Sequence, residues 1–173
     1  NTYATLSRAI AQINHLDPPP AFAMFTGDLI NDDDPQSYRV LRQLTQQLRV
    51  PTYFAMGNHD FRQPFRRVLL GEPQPDTTPY YYAFDSTQYR FIVLDSLVEG
   101  EVGGALDATQ LAWLETTLAT APTRPTILFV HHPPAPTGID WLDEHVIANG
   151  AAFLAVLARH SQVRRVFFGH VHM

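Results

Sequence analysis

The stretch Pro51-Thr52-Tyr53-Phe54-Ala55-Met56-Gly57-Asn58-His59-Asp60 runs from an apolar segment straight into four residues bearing a glycine turn, an amide, an imidazole and a carboxylate. Thr52 to Met56 reads as a strand, because β-branched and aromatic side chains suit a pleated, half-buried surface. The polar groups then stand at its carboxyl end. The same pattern recurs three times. Ala21 to Phe25 ends in Thr26-Gly27-Asp28, Thr126 to Val130 runs into His131-His132, and Val163 to Phe168 ends in Gly169-His170-Val171-His172. Ligand sites of α/β sheets form where the carboxyl ends of strands meet, so these four loops are expected to converge although they lie far apart in the chain.

The segments between them carry helical periodicity. Tyr3, Leu6, Ile10 and Ile13 share a face of a first helix that stops before Pro18-Pro19-Pro20. Asp34-Pro35 supplies an N-cap with proline at the first helical position, ahead of Tyr38, Leu41, Leu44 and Leu48. A short helix follows around Pro64 to Leu70, and Tyr80 to Phe84 with Tyr89 to Leu94 read as a hairpin. Asp107 and Gln110 form a capping box before Leu111, Leu114 and Leu118, and Asn149 caps a last helix through Phe153, Leu154 and Leu157. Strands alternating with helices indicate an α/β layered domain.

The chain has 173 residues, 45% of them hydrophobic, which fits one compact unit with a sizeable core. A formal net charge of -5 gives no electrostatic footprint for long nucleic acid. No run approaches the roughly eighteen apolar residues of a membrane span, so a soluble, cytoplasmic protein is expected, with a removed leader left open. A homo-oligomer is also left open. There is no cysteine, so neither a disulfide framework nor a thiolate metal site is available. Any metal must be held by Asp, Asn and His, a mixed nitrogen and oxygen set that suits Mn, Fe, Zn or Co. Asp32-Asp33-Asp34 fits no calcium-loop spacing and reads as a solvated turn with an N-cap. Tyr80-Tyr81-Tyr82 has two readings, a stacking surface for a nucleobase and ordinary cross-strand core, the second being the commoner use of strand aromatics.

Taken singly, a Gly-Asp after a strand or a lone histidine is unspecific. Together and in this order, Gly27-Asp28, Gly57-Asn58-His59-Asp60, His131-His132-Pro133-Pro134 and Gly169-His170-Val171-His172 make the chain resemble the calcineurin-like metallophosphoesterases along nearly its whole length. With the loop around Asp95-Ser96, the wording is similar to the class III cyclic-nucleotide and glycerophosphodiester phosphodiesterase branch. The resemblance implies a layered β-sandwich flanked by helices, two divalent metal ions, and hydrolysis of a small phosphodiester by a solvent hydroxide held on the metals.

Carried over residue by residue, it makes Asp28 the carboxylate bridging both metals, with Asn58, His131 and His170 completing the second metal's shell and His172 serving the first. His59 is then no ligand but the general acid to the leaving alkoxide. Asp60 and His132 stand behind the ligands or against substrate, with Asp60 the candidate to orient His59. The family's opening strand with Asp-x-His, which holds the first metal, does not precede Asn1, and further strands would follow Met173. The expectation is therefore a single domain over residues 1–173, truncated at both ends, with one complete metal shell and half of the other. A phosphomonoesterase and a non-catalytic scaffold with the same fold, as in a retromer subunit, are the competing readings.

Overall fold

The computed structural model describes residues 2–31 and 34–172. Helix α1 (Thr2–Asn14) leads to strand β1 (Ala23–Thr26), helix α2 (Pro35–Thr45) and strand β2 (Thr52–Ala55). A helical turn α3 (Arg62–Pro64) continues as a π-helical stretch, Phe65–Leu70, closed by Gly71 in the left-handed region at φ 80°. Strands β3 (Tyr82–Asp85) and β4 (Arg90–Val93) form the hairpin; α4 (Ala108–Ala119), β5 (Thr126–Phe129), a short α5 (Asp140–Asp143), α6 (Gly150–Ala158) and β6 (Val163–Phe167) complete the order.

These strands make two sheets, the parallel pair β1-β2 and a four-stranded sheet ordered β3-β4-β5-β6, parallel except for the hairpin pair β3-β4. Period-two alternation builds the sandwich. In β4 and β5, Phe91, Val93, Ile127 and Phe129 face the other sheet, where they meet Ala55, Phe22 and Met24. Their neighbours Ile92, Leu94, Leu128 and Val130 face outward onto Leu114 and Leu118 of α4 and Phe153 and Val156 of α6. On the opposite flank, Phe54 of β2 packs with Tyr38 and Leu41 of α2 and with Phe65 and Leu69. The layers are thus helices, two-stranded sheet, aromatic interior, four-stranded sheet, helices. This is the layered sandwich expected from the sequence.

Tyr82 ties the sheets together. Its hydroxyl accepts from the Phe54 N–H at 3.1 Å and donates to the Phe54 carbonyl at 3.0 Å. Both backbone groups on the outer edge of β2 are satisfied, which a buried edge requires. Tyr80 packs edge-on to Phe65 and Tyr81 lies against Trp113, so the three tyrosines belong to the core and its margin.

Two helix caps differ from the sequence expectation. Asp107 caps α4 by accepting from the Gln110 N–H at 2.7 Å, but the Gln110 side chain does not reach back to complete a capping box. Its amide instead accepts from the Asp95 N–H at 2.8 Å and donates to the Asp95 carbonyl at 2.9 Å, because an unpaired backbone end beyond β4 is the more demanding partner in a buried setting. Asn149 precedes α6 without a side-chain cap, since its amide bridges the N–H and carbonyl of Leu106 at 3.0 and 2.6 Å. Asp34 does cap α2, accepting from the Gln36 N–H at 2.8 Å; Asp32 and Asp33 lie outside the described residues. Among the described residues no helix is long and apolar enough to cross a membrane.

Candidate metal centre

The registers Thr26↔Ala55 and Val93↔Phe129↔Phe167 bring the strand carboxyl ends to one edge of each sheet, and the four loops meet there. Gly27 and Asp28 turn sharply, with φ of 96° and 51°. Aspartate is among the few side chains that tolerate this left-handed region, and a residue held there by its surroundings is characteristic of functional loops. The turn is also crowded. A Cβ on Gly27 would sit 2.5 Å from His131 Nδ1, one on Gly57 would collide with the Asp28 carboxylate, and one on Gly169 would sit 2.5 Å from the Thr26 carbonyl.

His131 stands at the centre of the cluster. Its Nδ1 donates to the Thr26 carbonyl at 2.8 Å. A carbonyl can only accept, so Nδ1 carries the proton and Nε2 offers its lone pair. That Nε2 lies 3.1 Å from His170 Nδ1, 3.2 Å from Asn58 Oδ1 and 3.4 Å from Asp28 Oδ1. Four atoms able to present lone pairs converge from four loops, which is the donor set of a divalent-cation shell. The backbone carbonyl behind His131 is the kind of outer partner that fixes a metal-binding tautomer.

Asp28 faces two ways. It touches this cluster through Oδ1 and, with His59 and His172, also lines a cavity of about 680 Å³. Burial opposes ionisation of its carboxyl, but a proton taken up on the His131 Nε2 in the metal-free protein and the His59 N–H, 3.2 Å from Oδ1, outweigh it and hold the pKa at about 2. His59 and His172 are exposed. Four of the five residues expected to hold metal thus meet directly, and the fifth, His172, stands on the wall of the cavity that Asp28 also lines. Asn58, His131 and His170 lie on one side of Asp28, and the open cavity with His172 lies on the other.

His132 is close by geometry, since His131, His132 and His170 offer nitrogens within 4.8 Å of one another. Both of its nitrogens are nevertheless engaged. Nε2 donates to the Val102 carbonyl at 3.0 Å and Nδ1 accepts from the Ser96 hydroxyl at 2.7 Å. Burial, with His131 and His170 adding to it, pushes its pKa down to about 3, so it is a neutral strut beneath the cluster. Burial likewise lowers His170, with His131 next in effect.

Asp60 does not contact the His59 ring in any of its bonds. Its carboxylate accepts from the N–H groups of Leu29 at 3.1 and 3.2 Å and Gly57 at 2.9 Å, and from the Tyr38 hydroxyl at 3.0 Å. Orientation of His59 thus comes through the backbone, with Asp60 clamping the Gly27-Asp28 loop to the Gly57-Asn58 loop. Burial pushes the Asp60 pKa up to about 6 despite these donors.

Several supporting residues were not legible beforehand. Arg62 donates from Nε and Nη2 to Asp95 at 2.8 and 3.1 Å and to the Leu97 carbonyl at 2.6 Å, and Asp95 also accepts from the Leu97 and Tyr80 N–H groups. This buried fork fastens the helix after Asp60 to the end of β4. Only an arginine two residues past Asp60 and an aspartate closing an apolar strand could have signalled it. His145, which lies outside the four loops in sequence, comes near enough to His170 for their charges to interact.

The calcineurin-like phosphoesterase family model matches residues 1–173. A 3',5'-cyclic-nucleotide phosphodiesterase of Nostoc sp. is 33% identical over 99% of this chain and 63% of its own length. Glycerophosphodiester phosphodiesterase GpdQ of Enterobacter lignolyticus is 35% identical over 94% and 60%, and the 3',5'-cyclic adenosine monophosphate phosphodiesterase CpdA of Escherichia coli 36% over 85% and 52%. The chain thus spans between about half and two thirds of the length of these relatives. Among solved structures, a dimetal phosphatase from Danio rerio superposes with a TM-score of 0.78 at 20% identity, covering 98% of this chain and 72% of that one, a likeness of fold.

Proposed function

The chain belongs to the calcineurin-like phosphoesterase family, and from that premise we propose that it hydrolyses a small phosphodiester, a cyclic nucleotide or a glycerophosphodiester, with two divalent ions of the Mn, Fe, Zn or Co type. The observation that carries the reading is the convergence of Asp28, Asn58 and His170 on the His131 Nε2 lone pair. Asp28, Asn58, His131 and His170 would hold one ion, and Asp28 and His172 would contribute to the other. The ions would supply positive charge at the phosphoryl oxygens and an activated water.

The remaining work falls to the chain itself. Asp28, ionised above about pH 2, keeps its negative charge at any physiological pH. His59, exposed on the cavity wall beside Asp28, gives a proton to the departing alkoxide as water's oxygen bonds to phosphorus and the ester P–O bond breaks, which yields an alcohol and a phosphomonoester from a glycerophosphodiester and a single ring-opened monoester from a cyclic nucleotide. Asp60 and the Arg62-Asp95 fork hold the His59 loop in register with Asp28. The names of the Nostoc, Enterobacter and Escherichia relatives support diesters as substrates.

The test is hydrolysis of bis(p-nitrophenyl) phosphate against p-nitrophenyl phosphate by the full-length protein with Mn added. Faster diester turnover supports the reading. Preference for the monoester would replace it with a phosphomonoesterase, and failure of Mn, Fe and Zn to bind would remove the catalytic reading in favour of a scaffold.

A further inference from the structure

The segment that follows His131-His132-Pro133-Pro134 is held at both ends. The Asp143 carboxylate accepts from the Thr137 N–H and, at 3.0 Å each, from the Thr137 hydroxyl and the Gly138 N–H, closing a small loop. Beyond α5, Ile147 N–H donates to the Pro133 carbonyl at 2.9 Å, Gly104 N–H to Val146 at 3.2 Å and Ala148 N–H to Gly104 at 2.8 Å. Leu142, 1% exposed, plugs the segment into the core. A loop fixed this firmly, starting five residues past His132, carries an indole left largely exposed among the described residues. Trp141 is 63% exposed, the highest value among the large apolar side chains described. Leaving that much apolar surface in water forgoes the burial free energy that every core side chain gains.

Trp141 and His145 are four residues apart on one turn, whose hydrogen bonds continue from Asp143 N–H to the Ile139 carbonyl and from His145 N–H to the Leu142 carbonyl. Residues at that spacing share a helical face. His145 is half-buried and within electrostatic reach of His170. The backbone of His145 packs on Gly103, where a Cβ would sit 3.7 Å from the His145 Cα, and the next residue, Gly104, abuts the His132 ring, so the turn that carries the indole ends beside the histidine cluster.

We propose that Trp141 and His145 form a substrate subsite at the rim of the metal centre, the indole stacking on the nucleobase of a nucleotide diester and the His145 imidazole donating a hydrogen bond to the phosphodiester itself. This rests on the phosphodiesterase reading and narrows it, since a glycerophosphodiester has no planar ring to stack. Stacking on an aromatic side chain is sequence-tolerant, so adenine and guanine diesters are both accommodated.

The test uses the full-length protein with two diesters, 3',5'-cyclic adenosine monophosphate and glycerophosphoethanolamine. Trp141→Ala is expected to raise KM for the nucleotide about tenfold, as loss of one base-stacking contact does, and KM for the glycerol diester less than about threefold. Trp141→Phe, which keeps a ring, is expected to recover most of the loss. His145→Gln is expected to raise KM for both diesters by a similar factor. Equal effects of Trp141→Ala on the two diesters, or none, would overturn the stacking role, and an unmoved KM in His145→Gln would overturn that of the imidazole. A second readout needs no turnover. In a Trp113→Phe background, the part of the indole fluorescence that Trp141→Phe removes is expected to be quenched by adenosine monophosphate and not by glycerol 3-phosphate. Absence of that quench overturns the subsite, while quench without turnover of either diester supports the subsite and counts against the phosphodiesterase reading.

Discussion

The Nδ1 of His131 donates a 2.8 Å hydrogen bond to the backbone carbonyl of Thr26, and this one contact decides which nitrogen of the central histidine is free. It joins the end of β5 to the end of β1, across the two sheets, and turns Nε2 toward Asp28, Asn58 and His170. His131→Ala is therefore expected to weaken divalent-metal binding by more than the 10- to 100-fold typical of losing an outer partner, and to abolish diester hydrolysis. Isothermal titration with Mn checks the first and p-nitrophenol release the second. Unchanged Mn affinity would contradict the placement of His131.

Gly57 has no room for a side chain. A methyl group there would press on the Asp28 carboxylate and the Asp28 amide and sit 2.8 Å from His131 Cε1. Gly57→Ala is expected to cost about 1–3 kcal/mol of stability, as overpacking does, and to displace Asp28 enough to lose metal. Thermal melts with and without Mn measure both. A variant that keeps its melting temperature and its Mn-induced stabilisation would show that the loops are looser than described.

The fold was legible because its strands are short apolar runs that end abruptly in polar residues, as Thr126 to Val130 does, and because a helical period of 3.6 stands out in Tyr38 to Leu48. The placement of Asp28, Asn58, His131, His170 and His172 at the strand ends was legible for the same reason, each following such a run. Residues that act across the fold left no such trace. Gln110 lies where a capping box would use it, yet tertiary contact with Asp95 takes its amide. Asn149 is drawn off in the same way by Leu106. The role of Tyr38 in holding Asp60 depends on the packing of α2, which periodicity reports only as burial. His145 reaches the centre only because its loop folds back on Gly104.

The Tyr38 hydroxyl donates to Asp60 and accepts from the Phe61 N–H at 3.0 Å, so Tyr38→Phe leaves one buried acceptor short and one N–H without its partner. A loss of about 1–3 kcal/mol is expected in urea denaturation, with unchanged denaturant slope. A loss under about 0.5 kcal/mol would mean that the clamp between the Asp28 and Asn58 loops does not depend on this phenol.

Asp95 and Arg62 form a buried pair whose side chains are 0% and 10% exposed. Asp95→Asn is expected to cost about 3–5 kcal/mol, because it strands the guanidinium. Arg62→Met is expected to cost a similar amount, the double variant Arg62→Met, Asp95→Asn to lose less than the two single losses together, and this double-variant cycle by chemical denaturation measures the coupling. Strict additivity would contradict a direct pairing.

The buried neutral His132 makes stability depend on pH. Its pKa is depressed from 6.5 to about 3, so the unfolded chain binds the proton more readily. Stability from this group is fully present above pH 6.5 and is lost as pH falls toward 3, by up to about 5 kcal/mol. In metal-free protein, His132→Gln is expected to flatten that slope between pH 6.5 and 4. An identical slope in both proteins would place the acid sensitivity elsewhere.

Most direct is the position of a bound ion. In crystals of the protein grown with Mn and measured at the Mn absorption edge, an anomalous peak is expected at coordinating distance, about 2.0–2.3 Å, from His131 Nε2, Asn58 Oδ1, His170 Nδ1 and an Asp28 oxygen. A peak on His132 instead, or none among these four residues, would contradict the account.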